Sequence, residues 1–157
     1  MPVTTTVSER ILREFVDRLE AYQSVNFTVY REMNDVEKMT PTDYQVVVKT
    51  TANTRQPNLD RIGNPPVIAY DMTVTCFGQL LISETDADPI EAHGYEVAAH
   101  IVKAITGLAN WYTFDGNAIN ASVQDIVTTG STGYRSGEVA FRVTYRFNEN
   151  DPFTAAS

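Results

Sequence analysis

The sequence predicts an α+β fold, a two-layer sandwich in which a mostly antiparallel sheet of about five strands carries two amphipathic helices on one face. Three observations lead there. Two stretches, Val7 to Tyr22 and Ile90 to Leu108, repeat apolar residues at helical spacing on one side only. Several shorter stretches alternate apolar and polar residues, most clearly Val139 to Phe147. The chain has 157 residues, 43% hydrophobic and 20% charged, which suits a single domain over 1–157 with a core of its own.

The first helix is expected over 7–22. Thr6 followed by Glu9 is a capping-box pattern. Val7, Ile11, Phe15 and Leu19 form the stripe, widened by Leu12, Val16 and Tyr22, while Arg10, Arg13, Glu14, Asp17 and Arg18 fill the polar side. Asn26 to Glu32 alternates Phe27 and Val29 against Thr28 and predicts a strand. The polar, Pro41-containing run 33–43 predicts a long loop. Tyr44 to Thr50, rich in β-branched residues, predicts a second strand. The run 51–66, with three prolines and a glycine, predicts a second long loop.

A third strand follows, with Ile68, Tyr70, Met72, Val74 and Cys76 on one face and Asp71, Thr73 and Thr75 on the other. Gly78 is expected to interrupt it, with Leu80 to Ile82 extending it beyond a bulge. Asp88, Pro89 and Glu91 occupy the N-cap, N1 and N3 positions of a helix expected over 89–108. Its apolar face holds Ile90, Val97, Ile101, Ile105 and Leu108. Ala118 to Thr128 alternates, then shifts phase between Val123 and Ile126, which predicts a bulge or twist. Gly130, Gly133 and Gly137 punctuate a turn region before the last strand, Val139 to Phe147. Residues 148–157 are expected to form a C-terminal tail.

Charge is unevenly placed. The formal net charge is −8, and a chain so acidic is a poor candidate for gripping DNA by phosphate neutralisation. Residues 1–61 carry nine acids and eight bases, residues 103–157 five acids and four bases. Residues 62–102 carry Asp71, Glu84, Asp86, Asp88, Glu91 and Glu96 with no Lys or Arg. Acids at a helix start complement its dipole. They also make a negative surface that a partner or a passing polyanion would meet.

The chemistry-bearing residues assemble no expected catalytic, cofactor or metal site. His93, Glu96 and His100 share one helix face, but their spacing is not that of a zinc helix, whose histidines sit four apart. Asp88 and Glu91 are spent on capping. The glycines of GSTGYRSG lie between strands, as in a hairpin, and not between a strand and a helix, as phosphate binding requires. The single cysteine, Cys76, lies on an apolar strand face, excludes an internal disulfide and is expected to be inert. Trp111 and Tyr112 are read as an aromatic plug at the end of the core, with a binding platform as the alternative. The opening residues MPVTTTVSER have no apolar core of the secretory kind, and no window is apolar enough to span a bilayer.

Three stretches together resemble the tail terminator, or tail-completion, proteins of long-tailed bacteriophages. They are the opening helix SERILREFVDRLEAY leading into a strand, the unit VIAYDMTVTCFG followed by an acidic loop and DPIEAHGYEVAAHIVKAI, and the closing strand GEVAFRVTYRF ending in NENDPF. The resemblance implies a structural virion protein of the tail or neck, assembled in the host cytoplasm, and not an enzyme. It implies a homo-oligomeric ring, commonly a hexamer, that caps the tail-tube protein and offers its other face to the head–tail connector or stopper protein. DNA would pass through the ring without being bound specifically. On that reading Glu84, Asp86 and Asp88 are candidate channel-facing acids, because a DNA channel should repel phosphates. Arg55 and Arg61 are candidate contacts on an assembly loop. The alternatives are a head-completion or stopper neck protein, a small α+β ligand-binding domain using Trp111 and Tyr112, and an enzyme using His93, Glu96 and His100.

Overall fold

In the computed structural model, which describes residues 4–31, 44–81, 90–131 and 134–156, the first helix α1 spans Val7–Ala21. Thr6 caps it, its hydroxyl accepting the Glu9 amide at 3.2 Å. The Glu9 carboxylate is spent outside the capping box. It accepts from Arg31, just past the first strand, at 3.0 and 3.2 Å and from Arg13 at 3.3 Å. Hydrogen bonding to Arg31 holds the Glu9 carboxyl below its ordinary value, against an opposing push from partial burial, and Arg13 adds to the lowering. A carboxyl depressed in the folded state contributes stability above its ordinary value, and that contribution is lost as pH falls. Melting temperatures of the wild type and Arg31→Met should therefore differ most at pH 6 and converge as pH drops below the ordinary Glu value of 4.5.

The strands are β1 (Phe27–Tyr30), β2 (Tyr44–Arg55), β3 (Val67–Leu81), β4 (Asn120–Ser131), β5 (Tyr134–Asn148) and β6 (Asp151–Ala155), and the second helix α2 spans Ile90–Thr106. The sheet runs β1-β2-β3-β5-β4, with β6 also paired to β5. Among the described residues β1–β2 is the parallel pair, and the other pairings are antiparallel. Fold class and helix placement follow the sequence expectation: both helices contribute to one apolar core with the sheet face carrying Val46, Val48, Met72, Val74, Cys76, Val139, Phe141 and Val143.

Several boundaries differ from expectation, each for a physical reason. The segment 51–55, expected as loop, continues β2, because Ala52–Arg55 pairs with Tyr70–Thr73. Its side chains are exposed, so no apolar alternation marks it. A short 3-10 turn, Pro57–Leu59, and the bridge between Arg61 and Val67 close the ribbon, leaving 56–66 as the loop. The expected tail 148–157 contains β6, folded back so that Ala155 faces Phe147 and Asp151 faces Asn148. The loop 33–43 and the Asp88–Pro89 helix start lie outside the described residues. The phase shift in β4 is a register shift between Val123 and Asp125, as the pattern predicted.

Gly78 does not interrupt β3. Its pairing with β5 runs unbroken from Val67 to Leu81, and the glycine instead makes room for α2. A Cβ on Gly78 would lie 2.5 Å from Val97 Cγ1 and 2.7 Å from Ile101 Cδ1. Gly137, expected in a turn, is inside β5, where a Cβ would lie 2.4 Å from the Gly94 carbonyl oxygen and 2.8 Å from the Ala98 nitrogen. The two glycines let the α2 backbone settle directly on the sheet.

Arg18, assigned by periodicity to the polar side of α1, is buried. It donates to the carbonyls of Ile105 and Trp111, both at 2.9 Å, and to Glu14 at 3.1 Å, and its guanidinium lies 4.5 Å from the Phe114 ring centroid. The residue that closes the end of the core is Phe114, stacked on Phe15 at 4.7 Å between centroids. Trp111 flanks it edge-on at 6.3 Å and half-buried, while Tyr112 is exposed. Cys76 is fully buried, and desolvation pushes its thiol far above the ordinary range. A thiol reagent at pH 8 should leave the native protein unlabelled and modify Cys76 only at the rate of unfolding.

Candidate functional site

Among the described residues the two sides of the sheet end differently. On one side β4 is the last strand, and its residues 122–127 are exposed without regard to alternation. That run includes Ile126 at 47% and Val127 at 48% exposure. On the other side β1 covers β2 from Tyr44 to Val47, and among the described residues no strand covers β2 beyond Val48. Its residues Thr51–Arg55 are all exposed. Long edges with unpaired main-chain groups are templates for adding another strand.

The sheet face turned away from the helices carries the row Val47, Phe77 and Val127 and, nearer its other end, polar residues that pair with one another. Asp71 is buried there and accepts from Arg142 and, at 2.6 Å, from the Thr144 hydroxyl. Asp71 and Thr144 face each other across β3 and β5, and Arg142 is two residue pairs along, on the same face.

The arginines expected on an assembly loop separate. Arg55 is the last residue of β2, and its guanidinium is held by Asp60 at 2.8 Å. That pair raises the Arg55 pKa and lowers that of Asp60, which also accepts the Ala69 amide at 2.8 Å. Arg61 is anchored by its main chain, which exchanges hydrogen bonds with Val67 at 2.8 and 3.0 Å, while its side chain is exposed. Glu84, Asp86 and Asp88 lie outside the described residues.

The structure brings His93, Glu96 and His100 together on α2 as their spacing requires. Glu96 lies 3.9 Å from His93 Nδ1 and 3.8 Å from His100 Nε2, and the Tyr44 hydroxyl reaches it at 3.4 Å. His100 Nδ1 shares a hydrogen bond with the Tyr22 hydroxyl at 2.9 Å, which takes that nitrogen away from ligation. Among the described residues no group of three or more His, Cys, Asp or Glu could hold a metal ion. Zinc titration should accordingly leave the melting temperature unchanged, and EDTA should do the same. Trp111 and Tyr112 do not line the groove between the helix ends, which holds about 500 Å³ and is walled by Glu14, Asp17, Arg18, Tyr22, Lys103 and Leu108 among others. No described helix is long and apolar enough to cross a membrane.

No family profile matches the sequence, and no curated protein matches it. Among solved structures, the chain is similar to the sheath/tube terminator of an extracellular contractile injection system, PVC, in its extended state. The similarity covers 99% of this chain at 13% identity, with a TM-score of 0.49. The chain spans 63% of the length of that terminator.

The two open edges are what the sequence did not reveal. Both carry mixed polar and β-branched residues without strict alternation, and their position at the rim depends on strand order, which no local pattern encodes. The exposed pair Ile126 and Val127 was the one available signal, since two adjacent apolar residues in a strand place one on each face.

Proposed function

We propose that this chain is a structural tail protein, a terminator whose copies close into a ring, commonly a hexamer, on the end of a tail tube. The observation that carries the reading is a sheet that, among the described residues, ends on a different long edge on each side. Two unlike edges on one subunit make a head-to-tail contact, and such contacts close into rings when the rotation per subunit divides a full turn. The sequence resemblance to phage tail terminators supplies the tube as the surface the ring caps, with the connector or stopper on its other face.

On this reading Glu84, Asp86 and Asp88, from the segment 62–102 that has no Lys or Arg, face the channel. A negative lining repels phosphate and lets DNA slide instead of holding it. Arg61, exposed on the loop 56–66, serves as a contact to the tube or connector, while Arg55 is tied to Asp60 within the subunit. Electron microscopy of particles lacking this protein tests the role. Overlong tails without heads are the expected result, whereas filled heads leaking DNA would assign the chain to the stopper position instead.

A further inference from the structure

We propose that the tip of the loop 56–66 is the anchor by which the subunit holds the tail tube: Ile62 seats in an apolar socket on the tube end, and Arg61 pairs with a carboxylate at the rim of that socket. The proposal rests on the tail-protein reading and names the surface that meets the tube.

Ile62 is 107% exposed, the most exposed large apolar side chain among the described residues. Apolar residues scattered over a surface are ordinary. This one stands at the apex of a loop whose chain is fixed on both flanks, with Leu59, also exposed, on the same loop. On the first flank Leu59 and Asp60 close the 3-10 turn, their amides donating to the Gln56 and Pro57 carbonyls at 3.0 and 3.1 Å. Arg146 Nε donates to the Leu59 carbonyl at 2.9 Å, and the Asp60 carboxylate accepts the Ala69 amide at 2.8 Å. Across the loop Arg61 and Val67 exchange main-chain hydrogen bonds, and the Pro66 carbonyl accepts the Glu149 amide at 2.9 Å. Pro65 and Pro66 have φ set by their rings. Residues 61–65, all exposed, stand between these anchored flanks. An apolar side chain on a loose loop loses part of its binding gain to ordering the loop, whereas a pinned one does not. Burying an isoleucine fully corresponds to a factor of ~10–100 in affinity.

Charge at the tip gives the chemistry of the partner. Arg61 is the one charged residue in 61–70. Arg55 and Asp60 hold each other at 2.8 Å, whereas Arg61 is exposed and enters none of the ion pairs among the described residues. A chain of net charge −8 thus presents a cation beside an apolar knob. The surface that fits is an apolar socket bordered by Asp or Glu. Placement points to a partner outside the ring. The loop joins the end of β2 to the start of β3, so it stands beyond the strand ends and not along the two sides of the sheet where copies would meet. Of the two surfaces outside the ring, the tube end makes the greater demand. A cap that stops elongation has to outcompete the next tube ring for the same end, and a few buried anchor residues carry most of such binding energy.

Co-sedimentation of the full chain with purified tubes tests this. Ile62→Asp should weaken tube binding by ~10–100-fold and Arg61→Glu by ~tenfold, while Ile62→Leu should bind like the wild type. All three should keep the wild-type melting temperature and native mass, because neither side chain packs inside the subunit. Ile62→Cys should react with a maleimide in the free protein and be shielded by excess tubes, while the buried Cys76 stays unlabelled. Charge variants that bind tubes as tightly as the wild type, with position 62 reactive throughout, overturn the anchor and leave the tail-protein reading standing. Variants that cap tubes normally but leave tails unable to join heads also overturn it and assign the loop to the connector. A lower native mass for the variants overturns it by placing the loop between copies. A wild type that binds no tube overturns both the anchor and the reading it rests on.

Discussion

Gly137→Ala is expected to destabilise the protein by about 3 kcal/mol or more, the upper range for overpacking a core. The added methyl has nowhere to go, because what it meets is main chain: the Gly94 carbonyl oxygen at 2.4 Å and the Ala98 nitrogen at 2.8 Å. Helix α2 must lift from β5, and its contacts with β3 and β4 loosen with it. Gly78→Ala is the informative comparison. Its methyl would strike the Val97 and Ile101 side chains, which can be shortened or can shift. Val97→Ala should therefore be less damaging in the Gly78→Ala background than in the wild type, and should offer no such relief to Gly137→Ala. Urea denaturation of the three single and two double variants measures the coupling.

Arg18→Met is expected to cost about 3 kcal/mol and lower the melting temperature by roughly 6–12 °C in a domain of this size. Methionine keeps much of the aliphatic stem but leaves the carbonyls of Ile105 and Trp111 without their donor and removes the cation from the Phe114 ring. The carbonyl of Ile105 belongs to the last turn of α2, where carbonyls lack helical partners and a positive charge is favoured. Arg18→Lys should recover only part of the loss. A single ammonium does not reproduce the flat guanidinium that donates to two carbonyls and to Glu14 while lying over Phe114. Thermal melts of the three proteins at pH 7 check the order wild type, lysine, methionine.

The legible parts of this fold are those in which one face is apolar and the other is not. Val139 to Phe147 alternates cleanly because β5 has a core face and a polar face, and both helices show their stripes for the same reason. The distal half of β2 and all of β6 escape because they lie at the rim, where neither face is fully covered and no alternation is imposed. Arg18 escapes for the opposite reason: a charged residue beside an apolar stripe is ordinarily at the surface, and only the end of a second helix, 87 residues away in sequence, makes its burial favourable. Gly78 and Gly137 mark strand positions whose meaning, bulge or close approach, depends on what crosses over them. The same limit governs the candidate site. Local sequence locates acids and arginines, but the sheet edges that would join subunits exist only once strand order is known.

Copies of this chain are proposed to form a ring that stops a tail tube. The most direct measurement adds the purified protein to polymerising tube subunits of the same particle and images the tube ends by electron microscopy. A ring on one end and an arrest of elongation are expected. Tubes that keep growing while the protein stays unbound would contradict the claim.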